Sequence, residues 1–405
     1  MKSCLHAAAA IAALSVASAA RADSAPSDLQ ELVVVANRTP QPLDHVGQSV
    51  TVLDTAELKA RQAVVVSDLL AATPGVAVSR NGGVGGVTAL SIRGAETDQT
   101  VVVIDGVKMN DPSSPGGGYN FANLLAGDIA RIEVLRGAQS TLWGGQAIGG
   151  VVNIVTAEPS SPAGGSAMVE AGSLATAYAR AAVGGRTARI GWRLAGDYFT
   201  TDGVSAARSG TERDGFRSSG LSGRLEAEPV QGLRIDLRAV YAANRNDADG
   251  FPPPSFSLAD TPEFGRTRTL AAYSGAQFDL AGGGFRNRIA FAWTDTYRRT
   301  FDPLQARTQV TFDAVGRNQR WEYQGGLDLP RGWLATFGAE TEGSTLRTSA
   351  PDAFDPDPRP SRAKARIDGI YVQAIGDAAP GVTLTLGVRH DRHDTFGDHD
   401  TGQAA

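Results

Sequence analysis

The sequence predicts an N-terminal mixed α/β domain followed by an antiparallel transmembrane β-barrel, in an exported chain. Three observations predict it. Residues 1–22 have the layout of a secretory signal peptide, and no other stretch approaches the 18 apolar residues of a membrane-spanning helix. Residues up to Thr156 mix short β-prone runs, helix starts and glycine-rich turns. From about Gly164 onward, apolar and polar residues alternate in strand after strand, with short turns and longer loops taking turns between them.

In the signal peptide, Lys2 supplies the positive start, Ala7 to Val16 the apolar stretch and Ala20-Arg21-Ala22 an A-x-A cleavage site, so the mature chain begins near Asp23. The only cysteine, Cys4, leaves with it, which excludes disulfides and cysteine-ligated metals from the mature chain. A net charge of −5 with 20% charged residues offers neither the basic excess of a nucleic-acid binder nor an acidic tail. The 48 glycines of 405 residues, roughly 12% against a usual ~7%, suit many tight turns.

After a polar segment from Asp23 to Gln30 comes a β-prone patch, Leu32-Val33-Val34-Val35-Ala36. The residues alone allow a first core strand or an extended peptide offered to a partner by strand addition. Gln48 to Leu53 reads as a strand. A helix follows, capped by Asp54 or Thr55, and a second begins at Ser67 and stops before Pro74-Gly75. Strands are expected at Val76 to Ser79, Ala89 to Arg93 and Thr100 to Ile104, with a flexible loop at Asn81 to Gly86 and a turn at Asp105-Gly106. Asn110 to Tyr119, with two prolines and three glycines, is a long loop. Phe121 to Leu125 and Ile129 lead into the stretch that closes the domain, Arg131 to Thr156. It runs through a strand around Ile132, Val134 and Leu135, a turn at Arg136-Gly137, a segment with Gly144, Gly145, Gly149 and Gly150, and a β-branched run from Val151 to Val155.

Beyond it, Leu233, Ile235, Leu237, Ala239 and Tyr241 alternate with Arg234, Asp236 and Arg238. Val382, Leu384, Leu386 and Val388 alternate with Thr383, Thr385, Gly387 and Arg389. About eleven strands follow from this pattern, roughly at 164–173, 175–184, 187–201, 218–228, 233–245, 265–280, 285–299, 316–328, 332–346, 364–377 and 382–394. Longer loops are expected at about 202–217, 246–264, 300–315 and 347–363, with short turns between them. Alternation alone fits a soluble sandwich as well. Short turns at one rim and long loops at the other select the membrane barrel, and Tyr198, Phe199, Tyr241 and Tyr297 sit near strand ends as an interfacial girdle requires.

The β-prone patch, "PGV", "SIRG" (Ser91 to Gly94), "VVIDGV" (Val102 to Val107) and "RIEVLRG…GGVVNIVT" together resemble the plug domain of TonB-dependent outer-membrane receptors. The resemblance divides the chain into a signal peptide at 1–22, a periplasmic segment at 23–38, a plug at 39–156 and a partial barrel at 157–405. Within the family the chain is most similar to cobalamin transporters, through "VVVANRTPQP" (Val33 to Pro42), "NGGVGG", "IDGVKMND" and "AIGGVVNIVT", then Asp214-Gly215-Phe216 and "DRHDTFG" (Asp391 to Gly397).

The resemblance implies a mechanism. The plug blocks the barrel, and ligand binds from outside on its apical loops. Leu32, Val33, Val34, Val35 and Ala36 form the TonB box, which adds as a strand to the periplasmic TonB protein and couples the plug to the inner-membrane proton-motive force. The implied cargo is cobalamin or a related corrinoid, with a siderophore or other metal chelate as the alternative, and the implied surroundings are outer-membrane lipid. Apical candidates for ligand contact are Arg80, Asn81, Gly83, Asn110, Ser113, Ser114 and Tyr119. Arg93, Arg131 and Arg136 with Glu133 are expected to fix the plug to the barrel wall, and Asp105 to serve a structural role at its turn. No cofactor is required, although calcium held by Asp214, Asp247 and Asp249 is an expectation of the same likeness, since Ca²⁺ takes about 6–8 oxygen ligands. His390, Asp391, His393, Asp394, Asp398, His399 and Asp400 look like metal ligands placed on an extracellular rim past the last strand.

No G-x-S-x-G, Walker A or H-E-x-x-H motif is present, so the sequence offers no enzyme reading. The chain departs from the family in length. Spread over a 22-stranded barrel, residues 157–405 leave about 11 residues for each strand with its connection, while a transmembrane strand alone takes about 9–11. Thr401 to Ala405 reads as neither a strand nor an aromatic barrel end. The expectation is a C-terminally truncated sequence with about 11 of 22 strands, which leaves an inactive remnant as a further alternative. A passive porin or adhesin is a third class, one that has no use for a TonB box.

Overall fold

Strand pairing divides the chain where its sequence pattern changes. The computed structural model describes residues 32–33, 38, 41–43, 46–305 and 307–405, all within one unit, Leu32–Ala405. The signal peptide, the polar segment and Val34 to Ala36 lie outside the described residues. Of the β-prone patch, β1 (Leu32–Val33) is described, and it pairs antiparallel with β2 (Gln41–Pro42).

The first sheet begins at β3 (Ser49–Leu53). Asp54 caps α1 (Thr55–Arg61), accepting from the Glu57 amide at 2.8 Å, as its place before an apolar-periodic run predicts. The next helix, α2 (Val66–Ala71), buries Val66, Leu69 and Leu70. The hairpin of β4 (Val76–Arg80) and β5 (Thr88–Ile92) stands apart from the main sheet. Next come β6 (Thr100–Ile104) and β7 (Val107–Lys108), joined by Asp105 and Gly106 with φ of 50° and 87°. Both lie in the left-handed region that a two-residue hairpin turn needs, which explains the Asp-Gly pair.

The closing stretch forms β8 (Ile129–Arg136), α3 (Ser140–Trp143) and β9 (Gly150–Thr156). Its glycine-dense middle thus holds a short helix that the sequence reading did not anticipate. Sheet order is β3-β8-β9-β6-β7, with β6 and β9 parallel and every other pair antiparallel. Because β9 lies inside the sheet with both faces covered, it reads as a Val/Ile run broken only by Asn153. Leu53, Leu70, Ile92, Ile132, Val134 and Ile154 form its apolar core. Asp105 locks the domain's last residue: its carboxylate accepts from the Thr156 amide at 2.9 Å and from the Thr156 hydroxyl at 2.7 Å.

The second sheet takes the rest of the chain in sequence order: β10 (Gly164–Ala171), β11 (Ala177–Arg186), β12 (Ile190–Thr201), β13 (Phe216–Val230), β14 (Leu233–Gly250), β15 (Ala259–Leu280), β16 (Phe285–Phe301), β17 (Val310–Asp328), β18 (Leu334–Ser349), β19 (Ser361–Ala379), β20 (Val382–His393) and β21 (Gly397–Ala404). Each is antiparallel to the next, and among the described residues no ladder joins β10 to β21.

Three expectations need correction. The strands number twelve rather than eleven, because Gly397–Ala404 pairs with β20 through Leu386↔Ala404 to His393↔Gly397. Thr401 to Ala404 is therefore strand. The upper strands also run well into the stretches expected as long loops. β15 has 22 residues, about twice what a bilayer crossing requires. No described helix is long and apolar enough to cross a membrane.

Alternation gives the wall two faces. Trp192, Leu194, Leu221, Leu225, Leu237, Ile289, Trp321 and Ile370 are exposed on one. Thr294, Asn318, Arg320, Gln324, Gln373 and Arg389 are buried on the other. Tyr273, Ala271, Ala290 and Ala292 of the wall join the first domain's apolar core, so the polar face surrounds that domain.

Candidate functional site

The contact between the first domain and the wall is built chiefly from charge. Arg38 is 5% exposed, and its Nη1 donates to Glu340 at 3.1 Å, to Glu322 at 3.4 Å and to the Tyr371 hydroxyl at 3.4 Å. Its guanidinium lies 4.6 Å from the centre of the Trp143 ring. Glu340 also accepts from Arg389 at 2.6 Å and from Arg320, while Glu322 accepts from Arg288 at 2.5 Å. Arg389 turns at the same time to Asp391 at 2.7 Å. Burying one of these charges alone would be costly, so each is matched by opposite charge close by.

Similar contacts recur elsewhere around the domain. Lys108 meets Glu342 at 3.2 Å, Arg193 meets Asp128 at 3.0 Å, and Arg238 donates to the Asp105 carbonyl at 3.3 Å. Polar contacts of this kind can be exchanged for contacts with water when the inner domain moves. A dry apolar seam would instead resist separation.

The expected anchors are not these residues. Arg131 pairs with Glu133 at 2.8 Å, and Glu133 also accepts from Asn153 at 3.0 Å. Arg136 donates to Ser49, Thr51 and the Pro74 carbonyl. These groups tie the first sheet to itself, because β8 lies between β3 and β9. The wall supplies most of the arginines instead. Arg320, Glu322 and Gln324 share one face of β17, and that run of polar residues at every second position was the available signal.

The apical candidates separate into two groups. The loop Asn81 to Gly86 reaches the wall's long-loop end. A side chain at Gly85 (φ 94°) would come within 2.1 Å of the Phe216 ring, and one at Gly82 within 3.1 Å of Ala206. Asn81 is exposed and Gly83 half-buried at this tip. Arg80 is tied down, donating to Ser67 at 2.7 Å and to Asp68 at 2.6 Å.

In the second loop, Asn110 and Ser113 are buried against the wall: the Asn110 carbonyl accepts from Asn318 at 2.6 Å, and the Ser113 carbonyl from Arg298 at 2.6 Å. They dock the loop rather than face outward. Ser114 is half-buried, its carbonyl accepting from the Gly117 amide, and Tyr119 packs edge-on to Phe121 at 5.0 Å. The exposed tip of this loop is Pro115-Gly116.

Under the loop between β12 and β13, Glu212, Asp214 and Asp249 each bring a carboxylate oxygen within 4.8 Å of the others. Asp214, 6% exposed, accepts from the Ala206 amide at 2.7 Å through Oδ2, while its buried Oδ1 has no hydrogen-bond partner. Asp249 accepts from the Ala207 amide at 2.6 Å through Oδ2, and its Oδ1 is likewise unpartnered. Two buried, unmatched carboxylate oxygens fit a hard cation. Burial pushes the Glu212 and Asp214 carboxyls up from their ordinary range, and the neighbouring carboxylates add to the shift. Asp247 stands outside the group because its carboxylate pairs with Arg245 at 3.0 Å, and Glu212 takes its place.

The His/Asp-rich tail is not a rim cluster. It spans the β20–β21 hairpin, where alternation sends its members to opposite faces. His390 meets Asp400 at 2.7 Å, and Asp391 serves Arg389. Among the described residues, Glu212, Asp214 and Asp249 form the one cluster of three or more such side chains that could hold a metal.

Comparison with known proteins accounts for this arrangement. Residues 42–151 match the TonB-dependent Receptor Plug Domain. The ferripyoverdine receptor of the outer membrane of Pseudomonas aeruginosa superposes with a TM-score of 0.73 at 16% identity, over 93% of this chain and 55% of that one. A variant of the ferric enterobactin receptor of the same organism gives 0.72 at 19% identity, over 92% and 61%. A siderophore receptor of Acinetobacter baumannii gives 0.67 at 18%, over 88% and 58%. These proteins are receptors rather than enzymes, and the chain spans a little over half their length. Residues 42–151 thus match a TonB-dependent receptor plug domain, and the antiparallel wall that follows shares the fold of the walls of these receptors.

Proposed function

We propose that the chain serves a TonB-dependent outer-membrane receptor that takes up a metal chelate of the siderophore class. The observation that carries this reading is the plug itself, held against the inner wall by ion pairs around Arg38, Glu322 and Glu340 that water can replace. A plug of this kind is suited to displacement on demand. The proteins similar in fold bind ferric chelates by name, which favours a chelate over a corrinoid. The corrinoid reading rests on sequence stretches such as "VVVANRTPQP" and "AIGGVVNIVT". TonB is the proposed energising partner, reached through Leu32 to Ala36, and Asn81, Gly83 and Pro115-Gly116 are the proposed outward contacts. Glu212, Asp214 and Asp249 are proposed to hold a divalent cation that orders the loop above the plug.

The test is uptake in cells that lack their own chelate and cobalamin receptors. Growth supported by ferric siderophores, and lost on deletion of residues 32–36, is the expected result. Rescue by cobalamin alone would transfer the assignment to corrinoids. Uptake indifferent to the deletion would point to a passive pore, and failure of the chain to insert would point to an inactive remnant.

A further inference from the structure

The outer face of the wall carries a feature that ligand uptake does not use. Arg217 of β13, Arg245 of β14, Arg266 of β15 and Arg299 of β16 stand directly opposite one another in successive ladders. Four arginines in one cross-strand row is an arrangement a sheet should avoid, because like charges directly opposite are destabilising.

Their side is fixed by alternation. On β14 and β15, Tyr241 and Leu270 share the face of Arg245 and Arg266, and Leu221 and Leu237 continue that face downward as exposed apolar residues. The opposite face carries the buried Asn244 and Ala271. The row therefore looks away from the plug. Arg217 lies 13 residues above the end of β13, and Arg299 lies 14 above the start of β16. A membrane crossing takes about 9–11 residues, which places the row just above the apolar band, at headgroup level. Arg245 pairs with Asp247 and Arg299 with Asp313, but among the described residues Arg217 and Arg266 have no carboxylate within ion-pair distance. Arg266 is held over the rings of Phe264 and Phe301 at 5.3 and 5.2 Å, leaving its edge free to donate.

We propose that this row binds the phosphate groups of anionic lipid in the leaflet surrounding the long-loop end of the wall. A phosphate between neighbouring arginines removes the like-charge penalty and accepts several N–H donors at once, the geometry for which guanidinium is suited. The apolar band directly below takes the acyl chains of the same lipid.

The experiment uses the whole 405-residue chain in detergent micelles. Native mass spectrometry counts bound lipid A carrying two phosphates, against the same lipid dephosphorylated and against inorganic phosphate as competitor. The phosphorylated lipid is expected to bind the unaltered chain about tenfold or more tightly than the dephosphorylated one, with added salt weakening the binding. Arg217→Gln with Arg266→Gln is expected to erase that preference while leaving the far-ultraviolet circular dichroism unchanged. Equal binding of the two lipids by the unaltered chain overturns the proposal, and so does a well-folded double variant that keeps the preference. Displacement of the lipid by millimolar inorganic phosphate overturns the lipid as occupant. If the double variant misfolds, the comparison of lipids on the unaltered chain decides alone.

Discussion

The plug and the wall use the same apolar residue types in opposite ways. In the plug, Leu53, Ile92, Ile132 and Ile154 are buried, and charge is pushed outward or paired locally, as Arg131 is with Glu133. In the wall, Leu225, Leu237, Ile289 and Trp321 are exposed, and Arg320, Glu340 and Arg389 are buried. One hydrophobic effect produces both results, because the solvent differs: water borders the plug, and lipid borders the outer wall. The wall's inner face is left with polar groups, and the plug's rim is what satisfies them. Neither region is complete without the other, which is why the wall contributes residues such as Tyr273 to the plug's core.

The sharpest way to break this complementarity is at Glu340, which accepts from Arg38, Arg320 and Arg389. Glu340→Gln leaves four arginines facing Glu322 and Asp391, and should cost about 3–5 kcal/mol, the usual penalty for an uncompensated buried charge. Arg38→Gln instead leaves three arginines facing three carboxylates and should cost clearly less. Urea unfolding of the chain in micelles measures both. Equal costs would mean that the network is not balanced as described.

Next in size is a test of the wall's outward face. Leu237→Arg places a charge in the apolar band and should cost about 2–4 kcal/mol, whereas Ser219→Arg near its upper edge should cost about 0–1 kcal/mol. Unfolding measured in lipid bilayers checks the gradient. A flat response would remove lipid from the outer face.

These two regions were not equally legible in the sequence. The wall's lower strands could be read because lipid on one side and polar groups on the other impose a strict period of two, as in Leu233 to Tyr241. The upper ends could not, since above the bilayer both faces are polar. Asn244 to Asp249 and Gly397 to Ala404 show no apolar stripe, so nothing in their sequence marks them as strand. The helix of Ser140–Trp143 is a single turn, too short to show a period. The anchor around Arg38 was out of reach for another reason. Its partners lie 284 and 302 residues away in sequence, and such a contact appears only once the wall has curved around the plug. For the carboxylate group, the motif Asp214-Gly215-Phe216 begins in the same loop as Glu212. Glu212 rather than Asp247 was decided by whether a nearby arginine claimed the side chain.

That loop supplies the smallest and most selective test of the contrast between plug and wall, because it lies on the wall's side but above the lipid. Glu212 and Asp214 have carboxyl pKa values raised in the folded chain, by burial first and then by their acidic neighbours. A group raised in this way holds its proton longer when folded than when unfolded, so the folded loop is favoured at low pH. That stability is lost as pH rises from the ordinary carboxylate range through the raised values. Calcium needs the same oxygens deprotonated, so its effect runs the other way. In a chelator, protease cleavage within residues 202–215 should increase as pH rises to neutrality. Added calcium should suppress the cleavage at neutral pH and have little effect at acid pH, and Asp249→Asn should reduce that protection. Protection by calcium of equal size at both pH values would show that the cation binds elsewhere.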